Sequence, residues 1–248
     1  MSALYKKAAE LIKKSKKTVA FTGAGISVES GIPTFRGPEG LWSKYDPKIL
    51  DIDYFTLNPK ESWTKIKEIF YDYMQNVKPN TAHYFLAELE KEKLLDAVIT
   101  QNIDNLHQEA GSQNVIEFHG TAKKLVCMNC FTKFDKKEVD LNDLPPSCPK
   151  CWGLLKPDFV FFKEPIPKKA LEKSLELAQE CDLMLVIGTT GEIQPASQIP
   201  ILAKQNGANI IEINIEESNY TRTVTDIFLQ DKATVASQKI KKHLKGLL

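Results

Sequence analysis

The chain has 248 residues, 42% of them hydrophobic and 26% charged, the balance of an ordinary globular protein. That length buries a core without disulfide staples and suits one large domain, or one domain carrying a smaller inserted module. Lys+Arg 33 against Asp+Glu 32 leaves a net charge of +1, which excludes a global field for nucleic acid or an anionic membrane, and no apolar run nears the ~18 residues of a membrane span.

Met1 to Lys17 is lysine-rich and lacks the apolar core of a signal peptide. Leu4, Ala8, Leu11 and Ile12 repeat at helical spacing, so a surface helix is expected before the first strand, in a cytoplasmic protein. Four runs read as buried parallel strands: Thr18 to Thr22, Ala97 to Thr100, Leu183 to Gly188 and Asn209 to Ile215. Helical stretches at Ala82 to Glu92 and Lys168 to Glu180 lie between them, the first after the start signal Pro79-Asn80-Thr81. Alternation of this kind predicts a doubly wound α/β sheet.

Two segments interrupt the alternation. Residues 38–78 open on Gly and Pro punctuation and hold Trp42, Tyr45, Trp63, Phe70 and Tyr71, predicting a loop followed by helix that orders when cofactor binds. Residues 122–153 hold four cysteines around Pro145-Pro146. The expected organisation is a Rossmann-like domain of residues 1–37, 79–121 and 154–248, with 38–78 and 122–153 packing into a smaller helical and zinc-binding domain.

Gly23-Ala24-Gly25-Ile26-Ser27 leaves the first strand at once. A Gly-x-Gly turn lets backbone approach a ligand, and a helix start behind it offers N–H groups to a pyrophosphate such as that of NAD. Val28 stands where a dehydrogenase fingerprint has its third glycine, and no lone ribose-binding acid follows, so hydride transfer is not indicated. In Ser30 to Gly37, Arg36 suits bidentate phosphate contact and Phe35 suits covering a reactive ring; a surface loop with a buried Phe and a solvated Arg fits equally.

Gln101, Asn102, Ile103, Asp104 and Asn105 follow the second strand, where ligands collect in open α/β sheets. Their amides and acid suit a carboxamide and a ribose; a capped helix start at Asn102 or Asp104 is compatible with that role. His119 ends another short apolar segment, Val115 to Phe118, as a candidate general base. His83, His107 and His243 have no comparable setting and read as structural or exposed, and Cys181 reads as a buried structural thiol.

Cys127-x-x-Cys130 and Cys148-x-x-Cys151, 17 residues apart, have the spacing of two knuckles that close a four-sulfur zinc site. Four protein ligands leave no open position, so the metal is structural. Lys123, Lys124, Lys133, Lys136 and Lys137 are offset by Asp135, Glu138, Asp140 and Asp143, which argues against a basic surface for nucleic acid.

The order of these pieces is distinctive. Gly-Ala-Gly-Ile-Ser at 23–27, Gly-Ile-Pro-Thr-Phe-Arg-Gly at 31–37 and Thr-Gln-Asn-Ile-Asp at 100–104 come first; His-Gly at 119–120, the cysteine pairs and Gly-Thr-Thr at 188–190 follow. From Thr22 to about Ala233 the chain closely resembles the sirtuin family, NAD-dependent protein-lysine deacylases. The resemblance implies His119 as general base, with Asn102 and Asp104 holding the nicotinamide ribose and carboxamide. It implies an NAD pocket of Gly23, Ala24, Gly25, Ser27, Thr34, Phe35, Arg36, Gln101 and Ile103. Gly188, Thr189, Thr190 and Asn214 would meet phosphate and the adenosine ribose, Ala233 the adenine, and Val160, Phe162 and Glu164 the acyl-lysine substrate.

The implied reaction is attack of the acyl oxygen on C1′ of the nicotinamide ribose, loss of nicotinamide, and release of lysine and O-acyl-ADP-ribose after His119 deprotonates a ribose hydroxyl. Protein mono-ADP-ribosyl transfer or NAD hydrolysis in the same pocket is the competing reading, and a silent zinc-ribbon binding module a third. Thr34 stands where many sirtuins have aspartate, and Lys163 where a glycine commonly precedes Glu164. Family members specialised for acidic acyl groups carry a tyrosine and an arginine three residues apart in the helix after Trp63. Ile66 to Asp72 has no arginine, so neutral acyl groups are expected.

Overall fold

The computed structural model describes residues 2–37 and 40–246. Pro38 and Glu39, the expected opening of the first insertion, lie outside the described residues. Helix α1 (Ser2–Lys14) buries Tyr5, Ala8, Ala9 and Ile12. Leu4 is exposed instead, because Tyr5 takes the inward position of that turn.

Six parallel strands form the main sheet: β1 (Thr18–Thr22), β2 (Ala97–Thr100), β3 (Val115–Glu117), β7 (Leu183–Ile187), β8 (Asn209–Asn214) and β9 (Ile227–Gln230). Their order is β3-β2-β1-β7-β8-β9. Every residue of β1, β2 and β7 is buried, as expected for strands covered on both faces. One face packs on α1, α4 (Thr81–Lys91) and α8 (Ala233–Lys245) through Phe85, Leu86, Ile240 and Leu244. The other packs on α6 (Lys168–Glu180) and α7 (Gln198–Gln205) through Leu177, Ala178, Ile199 and Ala203. Strand order reverses between β1 and β7, the switch point where doubly wound sheets open a crevice. Two expected strands end one residue early, before Gly188 and Ile215. Gly188 turns the chain with φ +63.

The first insertion is more broken than a loop and one helix. Short 3₁₀ turns at Leu41–Ser43 and Pro47–Leu50 lead to α2 (Ile52–Leu57), α3 (Pro59–Ile66) and a π-turn at Lys67–Asp72. Pro59 forces the break: Asn58 before it sits at φ −129, outside the helical region, and Pro59 opens α3. The cysteine segment contributes an antiparallel sheet, β5-β4-β6, of β4 (Gly120–Cys127), β5 (Lys133–Asp135) and β6 (Leu155–Phe159). This sheet extends beyond 122–153 on both sides.

The two insertions share one core, in which Phe55, Trp63, Ile66 and Phe70 meet Leu125, Leu155, Phe159 and Phe161. Trp63 is fully buried and its indole N–H donates to the Leu155 carbonyl at 2.8 Å. Trp63→Ala removes both the ring and that hydrogen bond, so it is expected to cost about 3–5 kcal/mol of unfolding free energy in urea titration.

Candidate functional site

At the switch point the turns after β1 and β7 are packed against one another. Gly25 N–H donates to the Gly188 carbonyl at 2.8 Å, and a Cβ on Gly25 would stand 2.6 Å from Gly188 Cα. Gly23 N–H donates to Ile187 O at 3.0 Å. The glycines therefore let two turns meet, a role their spacing did not disclose. No long helix follows: Ala24–Ile26 and Val28–Ser30 are single 3₁₀ turns, ended by Gly31 at φ +100. The expected helix N-terminus behind Gly23–Gly25 is thus replaced by short turns, a common form for irregular connectors.

Beyond β2 the polar residues converge as expected. Asn102 Nδ2 donates to Gly23 O at 3.2 Å and to Ser27 Oγ at 3.1 Å. Ser27 Oγ donates to Asp104 Oδ2 at 2.7 Å, while Asp104 Oδ1 accepts from Leu106 N–H at 3.0 Å. Asp104 so caps α5 (Leu106–Glu109) from outside, with Asn105 as N-cap residue in the left-handed region at φ +62. Burial pushes the Asp104 carboxyl up, against the opposing pull of its Leu106 and Ser27 hydrogen bonds. Ile103 packs into the core of the insertions, and its carbonyl accepts from Ala122 N–H at 3.1 Å.

His119 Nδ1 lies 3.0 Å from the Gln101 carbonyl. A carbonyl only accepts, so Nδ1 carries the proton and Nε2 keeps a free lone pair. Burial lowers the imidazole pKa below 6.5, with the Gln101 bond opposing, so the neutral form prevails at neutral pH.

His83 and His107, read as structural or exposed, are both fully buried beneath this site. Asn80 N–H donates to His83 Nδ1 at 3.2 Å, which leaves Nε2–H facing Ser27 Oγ at 3.4 Å. His107 Nε2 is 2.9 Å from Thr22 Oγ1, and the two rings stand edge to face, 4.9 Å apart. Desolvation holds them neutral, at pKa about 4 for His83 and about 3 for His107. The signal for His83 was its place three residues into the helix that Asn80 starts. His243 is half-exposed on α8. Cys181 is buried and its thiol is pushed up to about 12 by that burial, which fits an inert thiol.

The remaining expected residues ring the crevice. Gln101 Nε2 donates to Thr189 Oγ1 at 3.0 Å, Asn214 Nδ2 to Thr189 O at 3.1 Å, and Asn219 N–H to Thr190 O at 3.0 Å. Thr34 Oγ1 donates to Arg36 O at 2.6 Å, and Arg36 pairs with Glu192 at 2.8 Å. Phe35 is half-buried, 5.5 Å from Trp42 and 6.4 Å from Phe70 between ring centroids. Ala233 is buried at the start of α8, in the same core cluster as Ile26.

A strap, residues 160–164, runs beside the histidine. Val160 N–H donates to His119 O at 2.8 Å, and Phe162 N–H to Leu50 O at 2.8 Å. Phe162 is 46% exposed and its ring stands 6.3 Å from Trp42, an open aromatic at the mouth. Glu164 faces inward: its carboxylate accepts from Phe161 N–H at 2.8 Å and pairs with buried Lys156 at 2.9 Å.

The Sγ atoms of Cys127, Cys130, Cys148 and Cys151 all lie within 4.8 Å of one another. Cys127 and Cys151 are 3.5 Å apart, Cys130 and Cys148 3.7 Å. A tetrahedron of Zn–S bonds of about 2.3 Å sets sulfurs roughly 3.8 Å apart, so the cluster fits zinc. Backbone N–H groups of Asn129 and Cys130 point at Cys127 Sγ at 3.4 Å, the usual support for a thiolate knuckle.

The fold is Rossmann-like, a doubly wound parallel sheet with a free imidazole nitrogen beyond the ends of β2 and β3. The Sir2 family pattern matches residues 23–195. The chain is 45% identical over 245 residues to the NAD-dependent protein deacetylase 1 of Pyrobaculum aerophilum, covering 97% of this chain and 94% of that protein. It is 44% identical over 251 residues to an NAD-dependent protein deacylase of Pyrococcus abyssi, covering 97% and 98%. A solved Sir2 enzyme superposes with a TM-score of 0.92 at 43% identity over the full length of both chains. A Sir2–p53 peptide–NAD⁺ complex does so with 0.90 at 35% identity, covering 98% and 99%. This chain belongs to the Sir2, or sirtuin, family.

The four-thiolate module couples metal to folding. Metal analysis is expected to find one zinc per chain. Chelation is expected to lower the melting temperature, with recovery on adding zinc, and Cys148→Ser is expected to lose both the metal and the recovery.

Proposed function

We propose that this protein removes acetyl and other neutral acyl groups from lysine side chains of proteins or peptides. NAD is the co-substrate; nicotinamide, O-acyl-ADP-ribose and free lysine are the products. The observation that carries the reading is His119, whose Nδ1 proton is committed to Gln101 O, leaving Nε2 basic at the mouth of the crevice. The names of the relatives, deacetylase and deacylase, agree with it, and solved Sir2 structures hold a p53 peptide.

Each side chain has a part in this scheme. The Asp104 carboxyl, pushed up by burial, is held by neutral dipoles, Ser27 Oγ and Leu106 N–H. Positive charge on the nicotinamide side of the crevice favours its ionised form, which then stabilises that charge from a preorganised position. Asn102, fixed by Gly23 O and Ser27, presents its amide oxygen to the ribose and carboxamide. Gly23, Ala24, Gly25, Thr34, Phe35, Gln101 and Ile103 line this part. Arg36 is half-exposed against Glu192 and would exchange that carboxylate for a phosphate, which offers it two acceptors. Gly188, Thr189, Thr190 and Asn214 face phosphate and the second ribose, with Ala233 toward the adenine.

Val160 and Phe162 bound the acyl-lysine channel, and Glu164 supports it from behind through Lys156. The helical segment 66–72 buries Ile69, Phe70 and Tyr71 and offers no guanidinium to an acidic acyl group, which supports the neutral-acyl preference. We assign residues 38–78 and 122–153 to the small domain, and place the activity in the cytoplasm, where four reduced thiols persist. Among the described residues no helix is long and apolar enough to cross a membrane. The near-neutral surface supports a substrate that is protein rather than nucleic acid.

Nicotinamide release from NAD with an acetyl-lysine peptide tests the reading. His119→Ala is expected to lower kcat by about 10²–10⁴-fold, with O-acetyl-ADP-ribose no longer formed. Label passing from NAD to protein would move the reading to ADP-ribosyl transfer. The wild-type pH profile carries a second expectation. The base works unprotonated and burial depresses its pKa, so activity should fall on acidification with a midpoint below 6.5. A midpoint above 6.5 would count against a desolvated His119.

A further inference from the structure

Lys163 ends the strap in an unusual backbone state. Its φ is +73, a region L side chains rarely adopt, and its ammonium stands 2.9 Å from Asp51 and 2.7 Å from Asp53. Glycine would take this turn without strain, so what the lysine side chain adds is the pair of ionic contacts. The two carboxylates, Asp53 first, hold the ammonium above the ordinary lysine range.

Both carboxylates sit where the strap is docked. Asp51 is the N-cap of α2, its Oδ1 accepting from the N–H groups of Asp53 and Tyr54 at 3.0 and 3.2 Å. The same stretch pairs with the strap as a short parallel bridge, Asp51 opposite Phe162. Phe162 N–H donates to Leu50 O at 2.8 Å, and Ile52 N–H to Phe162 O at 3.4 Å. The strap's other end is bonded to the His119 carbonyl through Val160. One edge thus joins the base, the exposed Phe162 and the Lys163 contacts within four residues.

We propose that Lys163 is a positioning residue for the acyl-peptide substrate: by clasping Asp51 and Asp53 it keeps the 160–163 strap docked on residues 50–52. The proposal rests on the assignment of Val160 and Phe162 to the acyl-lysine channel. Without the ammonium, two carboxylates repel each other at the start of α2, and the strap beyond buried Phe161 keeps only the two backbone bonds of Phe162 to residues 50–52. A fraction of molecules then present an undocked strap, and apparent peptide affinity falls by that fraction. Exposed ion pairs are screened by salt, so the effect carries an ionic-strength signature that a purely structural role lacks.

The test compares full-length wild type with Lys163→Gly, Asp53→Asn, the double variant and Phe162→Ala. The probe is an otherwise uncharged acetyl-lysine peptide at saturating NAD. Lys163→Gly keeps the left-handed turn, so its melting temperature should match wild type. At about 50 mM salt its peptide KM should rise roughly two- to fivefold, the range of an exposed ionic contact, with kcat and the KM for NAD unchanged. Raising salt to about 0.5 M screens both the clasp and the bare carboxylates and should bring wild type and variant together. Asp53→Asn should give a smaller rise, and the double variant no more than Lys163→Gly alone.

If Phe162→Ala raises peptide KM while Lys163→Gly matches wild type at both salts, the clasp is overturned and the channel assignment stands. If Phe162→Ala leaves peptide KM unchanged, the channel assignment fails and the clasp with it.

Discussion

The site depends on one close approach, that of Gly25 to Gly188. β1 and β7 are adjacent parallel strands, paired from Thr18↔Leu183 to Thr22↔Ile187, and beyond their ends the two chains part toward opposite wings of the sheet. The Gly25–Gly188 hydrogen bond at 2.8 Å holds the turns together for one more step. Any side chain on either residue would overlap the other's backbone. Held there, Thr189 accepts from Gln101 and Asn214, so a residue from each wing meets at one loop. The crevice is therefore a consequence of strand order and of two missing side chains.

Burial supplies the chemistry on this frame. Three buried imidazoles stand beyond the ends of β1, β2 and β3, and desolvation pushes the pKa of all three down and favours their neutral forms. Had His83 been charged, its Nε2, 3.4 Å from Ser27 Oγ, would bring a cation to the group that holds Asp104. Neutral His83 instead starts a chain of oriented dipoles, His83 to Ser27 to Asp104, that fixes the carboxyl group in place. His119 is separated from that chain by its bond to Gln101 O, and so titrates for itself.

Much of this was legible from residue order. The strand cores at 18–22, 97–100, 183–188 and 209–215 are near-continuous apolar runs, and they end within a residue of where they should. β9 and α8 were not legible: Ile227–Gln230 is four residues long, and α8 is lysine-rich outside its buried face. The cysteine spacing disclosed the thiolate cluster because tetrahedral geometry admits few chain paths. His83 carried one local signal, its place three residues into the helix that Asn80 starts, whereas nothing local marks His107; the folding of α4 and α5 over Ser27 and Thr22 buries both. Glu164 looked like a substrate residue from its place in the motif, yet it points at Lys156, a partner eight residues upstream in sequence that β6 brings alongside.

The cysteine module is remote from the crevice in sequence yet bound to it mechanically. β4 begins at Gly120, the residue after the base, and pairs there with Phe159, the residue before the strap. Gly120 sits at φ +76, and a Cβ there would overlap the Asp158 carbonyl oxygen, so this crossing admits no side chain. At its far end β4 closes on Cys127, paired with Leu155, within the thiolate cluster. β4 is thus tied to the thiolate cluster at one end and to the glycine crossing beside His119 and Val160 at the other, and a register shift between Gly120 and Leu125 lets the two ends pair with β6 independently.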